Sequence, residues 1–253
     1  MSFLLLSYNI RHGGGGREAQ LGEVISVCRP DLVVFQEATR PEIVQRLAES
    51  CGMAECGTRP NTSLGFMSRE RTVQHAWHQP RLSRHAFLEI HPSGVDFRVF
   101  GVHLSAVHAA WTERRRVIEL GSLLGSIGQH ERGFHVLAGD FNTLAPNELL
   151  EVRKLPHRLR ALVWLSGGRI RWRTIQMVLN AGYADGYRRL HPRDPGLTFP
   201  VWDPHVRLDY VFVPADKASR LLSCEVIRRS PAHSASDHFP LLAEIGSGQD
   251  AVL

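Results

Sequence analysis

Six short apolar runs in this chain each carry an amide, a carboxylate or an imidazole at one end: Asn9, Glu37, His103, Asp140 with Asn142, Asp209, and Asp237 with His238. Buried apolar strands normally avoid such groups, because an unpaired charge is expensive to take out of water. Any one of them alone reads as a satisfied loop residue or a helix cap. All six in the same context are explained most economically by convergence on one site.

The runs also bound the architecture. Leu4 to Ile10 reads as a buried strand that opens into a flexible loop at the glycine tract Gly13 to Gly16. Helices are expected from Leu21 to Cys28, ended by Pro30, and from Pro41 to Cys51, with Pro41 in the first turn. Between them, Asp31 to Glu37 is a second strand. Leu64 to Ser68, Arg84 to Ile90 and Phe97 to Leu104 are short β runs punctuated by Pro and Gly. Trp111 to Ile127 is helical, with Val117, Leu120, Leu124 and Ile127 on one face, and Phe134 to Asp140 is a third apolar strand. Leu208 to Val213 and Phe239 to Ile245 are the last strands, with a helix or loop expected between them. No linker, low-complexity tract or tandem repeat divides the chain, so residues 1–253 read as one domain. Strands and helices alternate too unevenly for a strict βαβ array, and two packed sheets flanked by helices fit better.

Composition narrows the class. A hydrophobic content of 43% with 22% charged residues excludes wholesale disorder and fibrous architectures. No apolar run reaches the ~18 residues of a membrane span, and nothing at the amino terminus reads as a signal peptide. The expectation is a cytoplasmic protein without an integral membrane segment. Cys28, Cys51, Cys56 and Cys224 form no CxxC pair, so they are expected to be buried thiols in a reducing compartment. The net charge is +5, and only Lys154 and Lys217 among the 30 basic residues are lysines. Arginine grips phosphate in a bidentate fork where lysine offers a point charge. The balance suits an anionic substrate without naming one.

Ser7-Tyr8-Asn9-Ile10-Arg11, Pro30-Asp31 through Gln36-Glu37, Val102-His103-Leu104, Gly139-Asp140-Phe141-Asn142-Thr143, Arg207-Leu208-Asp209-Tyr210 and Ser236-Asp237-His238-Phe239-Pro240 follow one another in this order. Together they resemble the signature blocks of the endonuclease/exonuclease/phosphatase superfamily. That group includes DNase I, exonuclease III-like abasic-site endonucleases, inositol polyphosphate 5-phosphatases and neutral sphingomyelinases. The resemblance implies a DNase I-like four-layer α/β sandwich with the site at one edge of the two sheets. Arg11 departs from the abasic-site enzymes, which usually carry an acidic residue there, and is closer to DNase I-like and uncharacterised bacterial members.

The implied activity is divalent-metal-dependent hydrolysis of a phosphate ester. That chemistry needs an oriented water, neutralised phosphoryl oxygens and a stabilised leaving oxygen. Mg²⁺ (or Mn²⁺) takes one or two carboxylates and keeps several waters. By resemblance, Glu37 is the direct metal ligand, Asn9 a neutral ligand or orienter beside it, and Asp237 completes the shell or holds a ligand water. Asp140 orients or deprotonates the nucleophilic water, and Asn142 donates to a phosphoryl oxygen. His103 and His238 contact the phosphate from two sides, and Asp209 pairs with His238, fixing its tautomer and favouring its charged form.

The substrate is less legible. Arg11 is a candidate for a substrate phosphate, with a rim salt bridge as the alternative, and His12 with Gly13 to Gly16 offers backbone amides to a phosphate. Leu149 to Leu179 mixes arginines with Trp164 and Trp172, which fits an amphipathic helix, a nucleic-acid surface or an anionic lipid surface. Of Arg114, Arg115 and Arg116, one is expected to face inward and two outward. Nucleic acid is the leading substrate. A lipid or inositol phosphoesterase is the alternative enzyme, and a non-catalytic binding module the alternative class. No obligate protein partner is inferred.

Overall fold

The computed structural model describes residues 2–80, 83, 85–106, 110–130, 133–148, 151–154, 157, 160 and 172–246. Two six-stranded mixed sheets stack face to face with helices outside each. The first sheet contains β1 (Ser2–Asn9), β2 (Leu32–Gln36), β3 (Glu55–Thr58), β4 (Leu64–Ser68), β11 (Leu221–Val226) and β12 (Leu241–Gly246), in the order β11-β12-β1-β2-β4-β3. The second contains β5 (Gln74–His78), β6 (Phe87–His91), β7 (Arg98–His103), β8 (His135–Asp140), β9 (Tyr183–Asp185) and β10 (Asp209–Pro214), in the order β5-β6-β7-β8-β10-β9. The expected four-layer sandwich is the observed one.

Both faces of each central strand are buried, which is why these strands read as unbroken apolar runs. In β1, Leu5 packs between the sheets while Leu6 and Tyr8 pack under α1 (Glu18–Cys28) and α2 (Pro41–Ser50). In β8, Val136 and Ala138 face the first sheet, and Leu137 faces α3 (Ala110–His130) and α4 (Arg173–Asn180). Each sheet has one parallel pair at its centre, β1 with β2 and β7 with β8, flanked by antiparallel neighbours. The carboxyl ends of a parallel pair and the amino end of an antiparallel neighbour lie at the same sheet edge. All six polar clusters are thereby brought to one side of the sandwich.

Four strands were not apparent in the sequence: β3, β5, β9 and β11. They are the four outer edges of the two sheets. An edge strand is half exposed and carries polar side chains to blunt its free hydrogen bonds, so it leaves no apolar run. The segment between β10 and β12 is therefore not only helix and loop but also contains β11. The glycine tract is not a loose loop. Gly13 and Gly14 are buried in a turn where Gly13 N–H donates to the Glu37 carbonyl at 2.9 Å. Cys28 and Cys224 are buried free thiols, whereas Cys51 and Cys56 are only half buried. Arg116 is buried, with Arg114 and Arg115 exposed, as expected. Of the arginine- and tryptophan-bearing stretch, residues 161–171 lie outside the described residues, as do Arg84 and Arg158.

Gly139 occupies a position that admits no side chain. Its φ is +153°, and a Cβ there would lie 1.8 Å from the Val102 carbonyl oxygen in the paired strand. Neither partner can yield without breaking the β7–β8 ladder that delivers Asp140. Gly139→Ala is expected to lower unfolding free energy by about 2–5 kcal/mol. A denaturant midpoint equal to the wild type would show that the strand relaxes freely.

Candidate active site

Strand alternation aims the site residues. Leu5, Ser7 and Asn9 share a face of β1, so Asn9 points at the second sheet, as Leu5 does. By the same alternation His103 follows Val99, Asp140 follows Val136 and Ala138, and Asp209 precedes Val211 and Val213, all facing the first sheet. Asp140 is the register partner of both His103 and Asp209, so the three stand side by side across β7, β8 and β10. Glu37 would fall on the opposite face with Val33 and Phe35. Its φ of 56° ends the strand and breaks that alternation, and its carboxylate lies beside Asn9. Arg11, His12, Glu37 and Asn142 all have positive φ, a clustering of backbone strain typical of functional sites.

Hydrogen bonds knit the two sheets together here. Asn9 Nδ2 donates to Asp140 Oδ2 at 3.0 Å and lies 3.4 Å from Glu37 Oε1. Its Oδ1 accepts from Arg11 N–H at 3.0 Å. Asp140 Oδ1 accepts from the Asn142 N–H at 2.8 Å, and Asn142 Nδ2 donates to the Leu104 carbonyl at 2.9 Å. His238 Nδ1 lies 2.9 Å from Asp209 Oδ2, with its Nε2 3.9 Å from Asp140 Oδ2. Ser236 Oγ donates to the Asn9 carbonyl at 2.6 Å and so fastens the His238 turn to β1.

The charges follow from these contacts. Burial disfavours the His238 imidazolium, but Asp209, through charge and hydrogen bond, together with Asp140 and Asp237, outweighs it and holds the pKa up at about 10. Burial and the neighbouring Asp209 push Asp140 up to about 7, against the pull of His238 and the bonds from Asn142 and Asn9. Burial and the nearby His85 push His103 down to about 4, so it is neutral. Its Nδ1 meets Ser63 Oγ at 2.7 Å; with the hydroxyl donating, Nε2–H is left to point into the site. Burial works against ionisation of Glu37, but donors from His12 N–H, at 2.6 Å, and Asn9 bring its pKa below the ordinary value.

The outer residues are arranged differently. Arg11 Nε lies 3.4 Å from Asp237 Oδ2, so the rim salt bridge is formed. The His12 ring is 83% exposed, with Nδ1 3.6 Å from Glu37 Oε2. Three supporting residues gave no isolated signal. Ser63 meets His103. Arg17 braces the turn by donating to the carbonyls of Ile10, Arg11 and Ala235. Thr198 Oγ1 accepts from the N–H of Leu208, at 3.1 Å, and of Asp209. Arg207 lies within a recognised block, and its function is structural. Its fully buried guanidinium donates to both oxygens of Asp185, at 2.9 and 2.7 Å, and to Glu148 at 2.8 and 2.6 Å, and sits 4.4 Å over the Tyr210 ring.

A hard cation fits the oxygen-rich side of this site. Glu37 and Asp140 are both within reach of Asn9 Nδ2 there, with the Glu37 carboxylate partly exposed and held by donors that leave lone pairs free. Asp140, Asp209 and His238 also bring ligand-type atoms within 4.8 Å of one another. In that cluster His238 Nδ1 is bound to Asp209, which leaves Nε2, 3.9 Å from Asp140, as the remaining ring nitrogen.

The model of the Endonuclease/Exonuclease/phosphatase family matches residues 6–238. The chain belongs to that family. The match spans every polar cluster from Asn9 to His238. No curated protein matches the chain. Among solved structures, it is similar to the 3′ phosphatase NExo from Neisseria bound to a product DNA hairpin, at 20% identity and TM-score 0.72, covering 96% of this chain and 99% of that one. An AP endonuclease from Archaeoglobus fulgidus is 18% identical, with TM-score 0.71 and coverage of 95% and 98%. A humanized D. rerio TDP2 is 17% identical, with TM-score 0.68 and coverage of 97% and 99%. These likenesses establish that the sandwich of this family member is the shared fold. No helix among the described residues is long and apolar enough to cross a membrane.

The His238–Asp209 pair sets a pH dependence. Its folded pKa lies above the ordinary 6.5, so the stabilisation is complete below that pH and is lost as pH rises toward 10. Asp209→Asn is expected to lower the His238 pKa by more than one unit in an NMR titration of the ring protons. It should also flatten the loss of stability between about pH 6 and about pH 10. An unchanged titration would mean that Asp209 does not carry the effect.

Proposed function

We propose that this chain is a divalent-metal-dependent phosphodiesterase acting on nucleic acid by in-line attack of a water activated by Asp140. The observation that carries the reading is the pairing of two environments 3.9 Å apart: a carboxylate raised toward neutrality at Asp140 and an imidazolium held charged at His238. Asp140 is thereby poised to accept a proton near neutral pH, while His238 stays positively charged there and offers that charge to the phosphate.

In this reading Asp140 accepts the water's proton, the water oxygen bonds to phosphorus, and the ester oxygen opposite departs with the bonding electrons. His238 stabilises the negative charge on the phosphate and its leaving oxygen. Neutral His103 donates from Nε2–H on the other side. The second amide hydrogen of Asn142, not used by Leu104, is available to a phosphoryl oxygen. Glu37 would hold the cation, with Asn9 orienting its carboxylate, and Asp237, held by Arg11, would contribute through a ligand water. Mg²⁺ or Mn²⁺ bound there supplies charge neutralisation to the phosphoryl oxygens. Family membership and the DNA hairpin in the similar Neisseria 3′ phosphatase favour nucleic acid as the substrate class.

Three measurements test this. Purified protein with Mg²⁺ or Mn²⁺ should cleave plasmid DNA, abasic duplex or single-stranded RNA, and EDTA should stop it. Turnover confined to sphingomyelin or inositol phosphates would move the substrate class, and no turnover on any of them would leave a binding module. Asp140→Asn should lower turnover about 10²–10⁴-fold; retention of more than roughly a tenth would remove Asp140 as the base. Glu37→Gln should raise the half-saturating Mg²⁺ concentration by about 10–100-fold while the melting temperature stays near the wild type. An unchanged half-saturation point would take Glu37 out of the metal shell.

A further inference from the structure

The loop from Thr198 to Val206 stands over the His238–Asp209 pair and ends in an unsheltered indole. Trp202 is 67% exposed, more than any other large hydrophobic side chain among the described residues. It sits in a tight turn closed by Asp203 N–H donating to the Pro200 carbonyl at 3.1 Å. Phe199 and Val206 pair across the base of the loop. The loop is laced to both strands of the catalytic pair. Val201 N–H donates to the Asp237 carbonyl and Phe239 N–H to the Thr198 carbonyl, while Thr198 Oγ1 accepts from the N–H of Asp209.

A path of rings runs from the site to the indole. Phe199 lies 4.7 Å, centroid to centroid, from His238, and Trp202 lies 6.4 Å from Phe199. The indole is not drawn into the protein's own core: it packs against the Phe199 ring and keeps most of its surface exposed. Next to it in sequence, Asp203 pairs with the Lys154 ammonium at 3.1 Å, and Lys154 also lies 3.9 Å from Glu151.

We propose that Trp202 is a base-stacking residue: its indole takes the face of a nucleobase one or two nucleotides from the phosphate held at His238. This rests on the phosphodiesterase reading above and adds a strand-gripping element to it. An exposed indole on a rigid turn offers a flat apolar surface at little entropic cost, and every base has a face to match it without sequence preference. The grip works equally on the bound substrate and on its transition state, so it acts on KM and not on kcat.

The test uses a short single-stranded oligodeoxynucleotide and a series in which each nucleotide flanking the cut in turn lacks its base. Trp202→Ala should raise KM on the intact oligonucleotide by about 5–100-fold with kcat unchanged. Trp202→Phe should recover part of that. With the one substrate that lacks the stacked base, wild type and Trp202→Ala should have the same KM. An unchanged KM, or a rise of equal size on every substrate in the series, overturns the proposal. So does an effect of Trp202→Ala seen only with sphingomyelin vesicles, which would assign the turn to a lipid surface. A wild type that cleaves no nucleic acid overturns the phosphodiesterase reading itself. Equal melting temperatures confirm that the exposed site tolerates the substitutions.

Discussion

One side-chain nitrogen, Nδ2 of Asn9, reaches from the first sheet to the carboxylate of Asp140 in the second. With the His238–Asp209 contact it crosses the space between the sheets at their polar edge. Elsewhere the two sheets meet mainly through apolar side chains, whose packing is not directional. At this edge they cannot slip, because Asp140 and Asp209 are each about 1% exposed and a buried charge without its partner is strongly destabilising. The geometry needed for catalysis and the geometry needed to keep these charges compensated are therefore the same geometry. The stacking of the sheets and the alignment of the site cannot vary independently.

A second buried ionic cluster stabilises one side of that alignment from beneath. Arg207 is clamped between Asp185 and Glu148 and lies over the Tyr210 ring, while the Tyr210 hydroxyl lies within hydrogen-bond distance of the carbonyls of Thr143 and Arg207. These contacts fix the entry to β10, whose first residue, Asp209, lies between Arg207 and Tyr210 in the sequence. On the far side of β8, Glu113 accepts from Arg116 and from both the backbone and the hydroxyl of Thr174, joining α3 to α4. The charged groups in both clusters have their partners within the protein and are not free to meet a substrate.

Legibility in the sequence followed burial. Central strands announced themselves because both faces are apolar, and the polar residues at their ends stood out against that background. Asn9, His103, Asp140 and Asp209 were legible for this reason, and alternation alone aims each of them into the same space. Glu37 was legible as a residue type, but not its turn-breaking φ. The four edge strands were silent, since a half-exposed strand such as Gln74–His78 reads like loop. Ser63, Arg17 and Thr198 were equally silent, because each works through hydrogen bonds to partners distant in sequence that no periodicity encodes. The glycine tract misled in the opposite direction: glycines that look like freedom are here required by close packing, Gly14 meeting Leu21 where a Cβ would stand 2.8 Å away. Trp202 belongs to a loop whose composition carried no pattern.

The pairing of β1 with β12 joins Ser2–Ser7 to Leu241–Gly246, and the site is built from both ends of that span. Until β12 docks, β1 lacks one of its two neighbours, the Ser236 hydroxyl has no Asn9 carbonyl to meet, and Asp209 has no imidazole. Opening of this one pairing leaves Glu37 beside Asn9 but takes the His238 ring away from Asp209. Contacts so distant in sequence carry a large loop-closure cost and form slowly. The two sides of the polar edge are therefore joined only by a closing step that depends on the whole sandwich being in register.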